Sequence, residues 1–160
     1  MINRADTLRI GNTRVRRRAS DFLATSKPRV VLMALTTILV GFYMGGRGSV
    51  NFWILFQTLL AMTMATAGTL ALNQYLEREV DARMERTRSR PLPDGRLKAG
   101  EVLVFGLVMT TAGLIYVTFA VNGLAGLLTA VIVVTYLVFY TPLKMKTEFC
   151  NLPGAVAGAL

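Results

Sequence analysis

Long apolar stretches alternate with short polar ones along the chain, and the charges gather in the polar ones. The apolar runs cover about Val30 to Met44, Phe52 to Leu72, Val102 to Val121 and Leu124 to Tyr140. Each approaches the roughly 20 residues that a helix needs to cross a bilayer core. Pro28 suits the first turn of the first helix, where its missing N–H is not needed. Gly45-Gly46 breaks that helix before a short loop holding Arg47. The second helix is expected to continue into the polar stretch from Asn73 to Glu85. Asn122-Gly123 makes a tight turn between the third and fourth helices, and Pro142 is expected to end the fourth. Apolar residues resume at Leu152 and run to Leu160, under half of a crossing. The pattern predicts an all-α, polytopic transmembrane helix bundle: four complete spans and the start of a fifth, cut from a longer chain.

Composition agrees with that reading. Of the 160 residues 53% are hydrophobic, and the mean hydropathy is +0.49. A net charge of +9 would point to nucleic acid in a soluble protein. Here the cations follow the loops, so the partner expected is the lipid bilayer and not a nucleic acid. Residues 1–29 carry eight Arg and Lys, the first turn one, the 73–101 loop seven, the next turn none and the region after the fourth span two. This alternation puts the N-terminus, the 73–101 loop and the 141–151 loop on the cytoplasmic side. Arg16-Arg17-Arg18 faintly resembles a twin-arginine signal, but Lys27, Pro28 and Arg29 separate it from the apolar run and no prompt small-x-small site follows. Residues 1–29 are read as a basic cytoplasmic leader. The single cysteine, Cys150, permits no internal disulfide, and the lack of histidine excludes a histidine base or ligand within these residues.

The chemistry lies at the end of the second span. Asn73, Glu77 and Asp81 stand at i, i+4 and i+8, so on a helix each is turned only about 40° from the last and rises about 6 Å. A solvated helix end accounts for Glu79 and Arg83, which are of opposite sign at i, i+4. It does not account for Glu77–Asp81 and Asp81–Glu85, like-charge pairs that repel unless a cation lies between them. Oxygen-only donors suit a hard cation such as Mg²⁺, held by one or two carboxylates plus substrate phosphate oxygens. The stack therefore suggests a Mg²⁺–diphosphate site. The next segment, Arg86-Thr87-Arg88-Ser89-Arg90-Pro91-Leu92-Pro93-Asp94-Gly95-Arg96, is either an inside-loop basic cluster or a set of Arg forks for diphosphate. Tyr140 to Lys146, taken alone, reads as an interfacial Tyr with snorkelling Lys.

The run from Asn73 to Arg96 resembles the UbiA superfamily of intramembrane prenyltransferases, whose first acidic motif has the form N-x-x-x-D-x-x-x-D. Within it, Asp81–Leu97 (DARMERTRSRPLPDGRL) is similar to the haem O synthase (protohaem IX farnesyltransferase) family, which carries R-T-x-x-R-P-L-P-x-G-R there. Lys27-Pro28-Arg29, YTPLK at Tyr140–Lys144 and GAVAGAL at Gly154–Leu160 carry the same likeness, which covers residues 26–160. Glu77 departs from the usual Asp by one methylene. The resemblance implies a fold of about nine spans with a second acidic motif in its other half, so that residues 30–160 form the N-terminal part of the domain and should be inactive alone.

By that likeness, Asn73, Glu77 and Asp81 are the metal-binding and catalytic set, and Arg86, Arg90, Tyr140 and Lys144 hold the diphosphate. The implied cofactor is Mg²⁺, the substrates are farnesyl diphosphate and haem B, and the product is haem O. Haem A synthase is an implied partner, and a bacterial cytoplasmic membrane the implied location, ahead of the mitochondrial inner membrane. Two other readings stand beside this one: the same chemistry on an aromatic quinone precursor such as 4-hydroxybenzoate, and a non-enzymatic cation-transport or assembly protein. A mid-span carboxylate would favour transport, and none of the four spans contains one.

Overall fold

The protein is described by a computed structural model over residues 18–46 and 50–146, with the backbone alone over 144–146. A short helix, α1, occupies residues 18–25. It is followed by α2 (Pro28–Gly45), α3 (Phe52–Arg83), α4 (Ala99–Ala120), α5 (Gly123–Val134), a π-helical turn (Thr135–Tyr140) and α6 (Thr141–Lys146). Among the described residues there is no strand, and four helical stretches are long and apolar enough to cross a membrane. The expected residues 152–160 of a fifth span, and Cys150, lie outside the described residues.

Local chemistry sets the helix limits. Pro28 opens α2, as expected, after Lys27 turns the chain in a left-handed conformation at φ 47°. The Asn51 side chain caps α3 by accepting from the N–H groups of Trp53 and Ile54 at 3.0 and 3.3 Å. The Glu101 carboxylate reaches back 3.2 Å to the Lys98 N–H at the start of α4. Asn122 caps α5 through Leu124 N–H at 3.1 Å, which makes the tight turn. As expected, α3 runs past the apolar stretch and through the acidic residues, ending at Arg83.

One boundary differs. Pro142 does not end the fourth span; the helix passes through it into α6. The reason is the π turn just before it. There the bonds shift from i−4 to i−5, with the Thr141 N–H donating to the Tyr136 carbonyl. The extra residue loosens the turn ahead of the proline ring, and Pro142 then sits in the first turn of α6, where its missing N–H does least harm.

The bundle is held chiefly by α3 against α4. Ala61, Ala65 and Gly68 on α3 face Gly106, Thr110 and Gly113 on α4, all buried. A Cβ on Gly113 would lie 2.5 Å from the Ala65 nitrogen, and one on Gly68 2.5 Å from the Thr110 nitrogen. Two backbones in direct contact are how membrane helices associate when lipid removes the hydrophobic drive. On the other side of α3, Val31 and Leu35 of α2 pack on Ala67 and Leu70.

The polar end is closed by the loop between α3 and α4. Its Leu92 and Leu97 are buried with Ala71 and Val102, and Phe22 of α1 packs there with Tyr75 and Phe105. The Gln74 amide donates 2.7 Å to the Thr25 carbonyl, and Arg96 reaches Asp21 at 2.7 Å. Residues 21–25 are thus tied onto the bundle.

Candidate functional site

Asn73, Glu77 and Asp81 do lie on one face of α3, and all three are buried, at 2%, 6% and 5% exposure. Buried polar groups need partners, and the structure supplies them. The Asn73 amide Nδ2 donates to Glu77 Oε2 at 3.1 Å. The Thr141 hydroxyl, itself fully buried, donates to Asn73 Oδ1 at 2.8 Å. The Arg90 guanidinium pairs with the Asp81 carboxylate. The repulsion expected between Glu77 and Asp81 is therefore relieved by a cation of the protein's own.

That pairing depends on the loop's shape. The Thr87 hydroxyl donates 2.9 Å to the Asp81 carbonyl, turning the chain back as α3 ends. The Leu97 N–H closes onto the Pro91 carbonyl at 3.1 Å, and Gly95, at φ 74°, makes the tight reversal that only glycine adopts freely. Arg96 gathers the rest: it donates to Asp94 at 2.8 Å, to the Ser89 carbonyl at 2.8 Å and to Asp21 of α1. Arg90 is held on the inner side of this loop and Arg86 is exposed on its outer side.

The sequence-predicted residues come together unevenly. Asn73, Glu77, Asp81 and Arg90 form one cluster. Tyr140 stacks on Tyr136, with ring centroids 5.1 Å apart, directly before the residue that bonds Asn73. Lys144 falls one turn beyond Tyr140 on α6, and its side chain lies outside the described residues. Arg78, one position from Glu77, lies over the Tyr75 ring at 4.5 Å. Thr141 and Thr87 were missed in the sequence. The only signal for Thr141 is its place inside the YTPLK run.

The donors fit a hard cation. They are all oxygens: two carboxylates and one amide carbonyl. Among the described residues no three His, Cys, Asp or Glu side chains converge. Two carboxylates are what Mg²⁺ ordinarily takes from protein when substrate phosphate completes its shell.

The UbiA prenyltransferase family model matches residues 34–160. The chain is 35% identical over 150 residues to a protoheme IX farnesyltransferase of Solibacter usitatus, covering 88% of this chain and 51% of that one. It is 38% identical over 140 residues to the protein of that name from Opitutus terrae, covering 88% and 47%. The Myxococcus xanthus protein of that name is 38% identical over 148 residues, covering 89% and 48%. The chain thus spans about half the length of the curated relatives it matches. No solved structure matches.

Proposed function

The chain belongs to the UbiA prenyltransferase family, and from that premise we propose that it supplies the first acidic motif of a protohaem IX farnesyltransferase. The reaction breaks the C–O bond of farnesyl diphosphate, joins the farnesyl carbon to a vinyl group of haem B, and adds water to the resulting cation, giving haem O and free diphosphate. The observation that carries the reading is the buried Asn73–Glu77–Asp81 face, with Arg90 against it, at the polar end of a membrane helix. Farnesyl and haem enter from the relatives' names, and the acidic face with its basic loop supports the diphosphate part of the reading.

Asn73, Glu77 and Asp81 would hold Mg²⁺, which when bound stabilises negative charge on the departing diphosphate. The chain's own part is electrostatic and steric. Arg90 presents a planar fork that suits a carboxylate or a phosphate equally, so it turns from Asp81 to the diphosphate as substrate enters. Arg86, exposed at the loop's outer side, and Lys144, beyond Tyr140, would add positive charge as the leaving group forms. Met62 and Thr66 continue the acidic face deeper into the span at helical spacing. They offer the prenyl chain a wall away from water, which protects a carbocation. The site would face the cytoplasm of a bacterial membrane, with haem A synthase as the partner that takes the product.

The test uses membranes carrying this chain alone, and a parallel set carrying it fused to the C-terminal half of the Myxococcus xanthus relative. Both receive haem B, farnesyl diphosphate and Mg²⁺, with 4-hydroxybenzoate as rival acceptor. Haem O from the fusion, lost in Asp81→Asn and without Mg²⁺, is expected. Prenylated hydroxybenzoate would keep the mechanism and sink the haem assignment. No prenylated product from a folded fusion would refute the enzyme.

A further inference from the structure

The π turn in the fourth span has a specific product: it aims Thr141 at Asn73. In the regular helices threonine hydroxyls turn back on their own helix, as Thr58, Thr69 and Thr118 do toward the carbonyl four residues earlier, at 2.7–2.8 Å. Thr141 has two acceptors in reach: the Tyr136 carbonyl of its own helix at 2.9 Å, five residues back in the π register, and Asn73 Oδ1 on another helix at 2.8 Å. An amide oxygen has no proton to give, so the 2.8 Å contact with Asn73 Oδ1 is where the single hydroxyl proton goes.

The polarity then propagates. An amide facing a hydroxyl and a carboxylate has two orientations. A carboxylate oxygen only accepts, so the nitrogen of Asn73 must face Glu77 and its oxygen must face Thr141. Each member donates to the next: Thr141 O–H to Asn73, and Asn73 N–H to Glu77 Oε2. All three are buried, at 0%, 2% and 6% exposure, where a hydrogen bond out of water is strongest and a lost one costs most.

We propose that Thr141 is a positioning residue: through Asn73 it holds Glu77 Oε2 on the Asn73 amide and so fixes how the Glu77 carboxylate is turned within the acidic face. This deepens the diphosphate–cation site proposed above and rests on it for its purpose, though not for its geometry. It also recasts Asn73, whose oxygen serves as an acceptor for the fourth span as well as a possible ligand. Groups that orient a metal ligand in this way typically weaken binding about tenfold to a hundredfold when removed.

The test separates the geometry from the purpose. The chain has six asparagines, few enough to follow by nitrogen-15 asparagine labelling in lipid nanodiscs. The Asn73 side-chain amide, identified by its loss in Asn73→Asp, should exchange with solvent far more slowly than the others. Thr141→Val, of equal size but without the hydroxyl, should speed that exchange at least tenfold, and Thr141→Ser should keep it slow. Should valine prevent folding, Thr141→Cys, a weak donor of similar size, makes the same comparison. In parallel, Mn²⁺ binding read by electron paramagnetic resonance should weaken about tenfold to a hundredfold in Thr141→Val and recover in Thr141→Ser. Unchanged amide exchange in Thr141→Val overturns the relay. Quickened exchange with Mn²⁺ binding equal in wild type and Thr141→Val overturns its purpose. If wild type binds no Mn²⁺, the cation site falls while the exchange data still decide the relay.

Discussion

At the scale of single residues, the burial of Asp81 decides what Arg90 is worth. The Asp81 side chain is 6% exposed and that of Arg90 26%. Ion pairs on open surface contribute little, but removing one partner of a buried pair leaves a charge without compensation, at about 3–5 kcal/mol. Arg90 is partly wet, so Arg90→Ala should cost about 3 kcal/mol, read by unfolding in mixed micelles. The double variant Arg90→Ala with Asp81→Asn should recover most of that, because no buried charge is then left behind. Spacing alone was enough to find Asn73, Glu77 and Asp81, since i, i+4, i+8 fixes a helical face whatever packs on it. Spacing also showed that the like charges needed a cation. It could not show that Arg90 supplies one, because nine residues of loop separate Arg90 from Asp81 and their meeting depends on the turns at Thr87 and Gly95. Thr141 was invisible for a different reason: most threonines of these spans bond their own helix, and only the register of the preceding turn sets this one apart.

At the scale of elements, the apolar runs were legible to within a few residues because hydrocarbon thickness imposes their length. The crossing of α3 and α4 was not, since the small residues that make it read as ordinary apolar content. Its geometry yields a clear contrast. Gly68→Val places carbon where the Thr110 backbone stands at 2.5 Å, and neither backbone has room to give. Overpacking of this kind costs about 1–3 kcal/mol. Gly100→Ala, with nothing within 4 Å, should be neutral or stabilise by up to about 1 kcal/mol. Thermal melting in detergent would order the two, and equal melting would refute the close crossing. The reading of Pro142 as a stop failed on a six-residue π turn, Thr135–Tyr140, just before it. That stretch is apolar almost throughout, so a one-residue shift of helical phase leaves no pattern to read in the sequence beyond the proline it accommodates.

At the scale of the whole molecule, three segments distant in sequence meet at one end of the bundle: α1, the α3–α4 loop and the start of α6. Charge counting along the chain predicted that they share a side of the membrane, and their contacts agree. In a Cys150→Ser background, Ser20→Cys and Ser89→Cys should react with an impermeant thiol reagent from one side of sealed vesicles, and Gly123→Cys from the other. The Arg96–Asp21 link is the clasp between α1 and the loop. Its Arg side chain is 46% exposed, so Arg96→Ala should barely move the melting temperature, as expected for a surface ion pair worth about 0–1 kcal/mol. It should instead quicken tryptic cleavage after Arg86 and Arg88 several-fold, because the loop loses its internal tie.

The hydrogen bond between Thr141 and Asn73 joins residues 68 positions apart. A ribosome adding roughly 5–20 residues per second makes Asn73 about 3–14 s before Thr141. For that interval α3 has its acidic end in place without the fourth span that completes it, while α4 and α5 are still entering the bilayer. The carboxylates must therefore be sheltered in the headgroup layer or by α1 and the loop, which are made in time to help. The bond to Asn73 closes late, and a nascent chain halted before residue 141 should carry α1 to α5 but leave the Asn73 oxygen without its threonine.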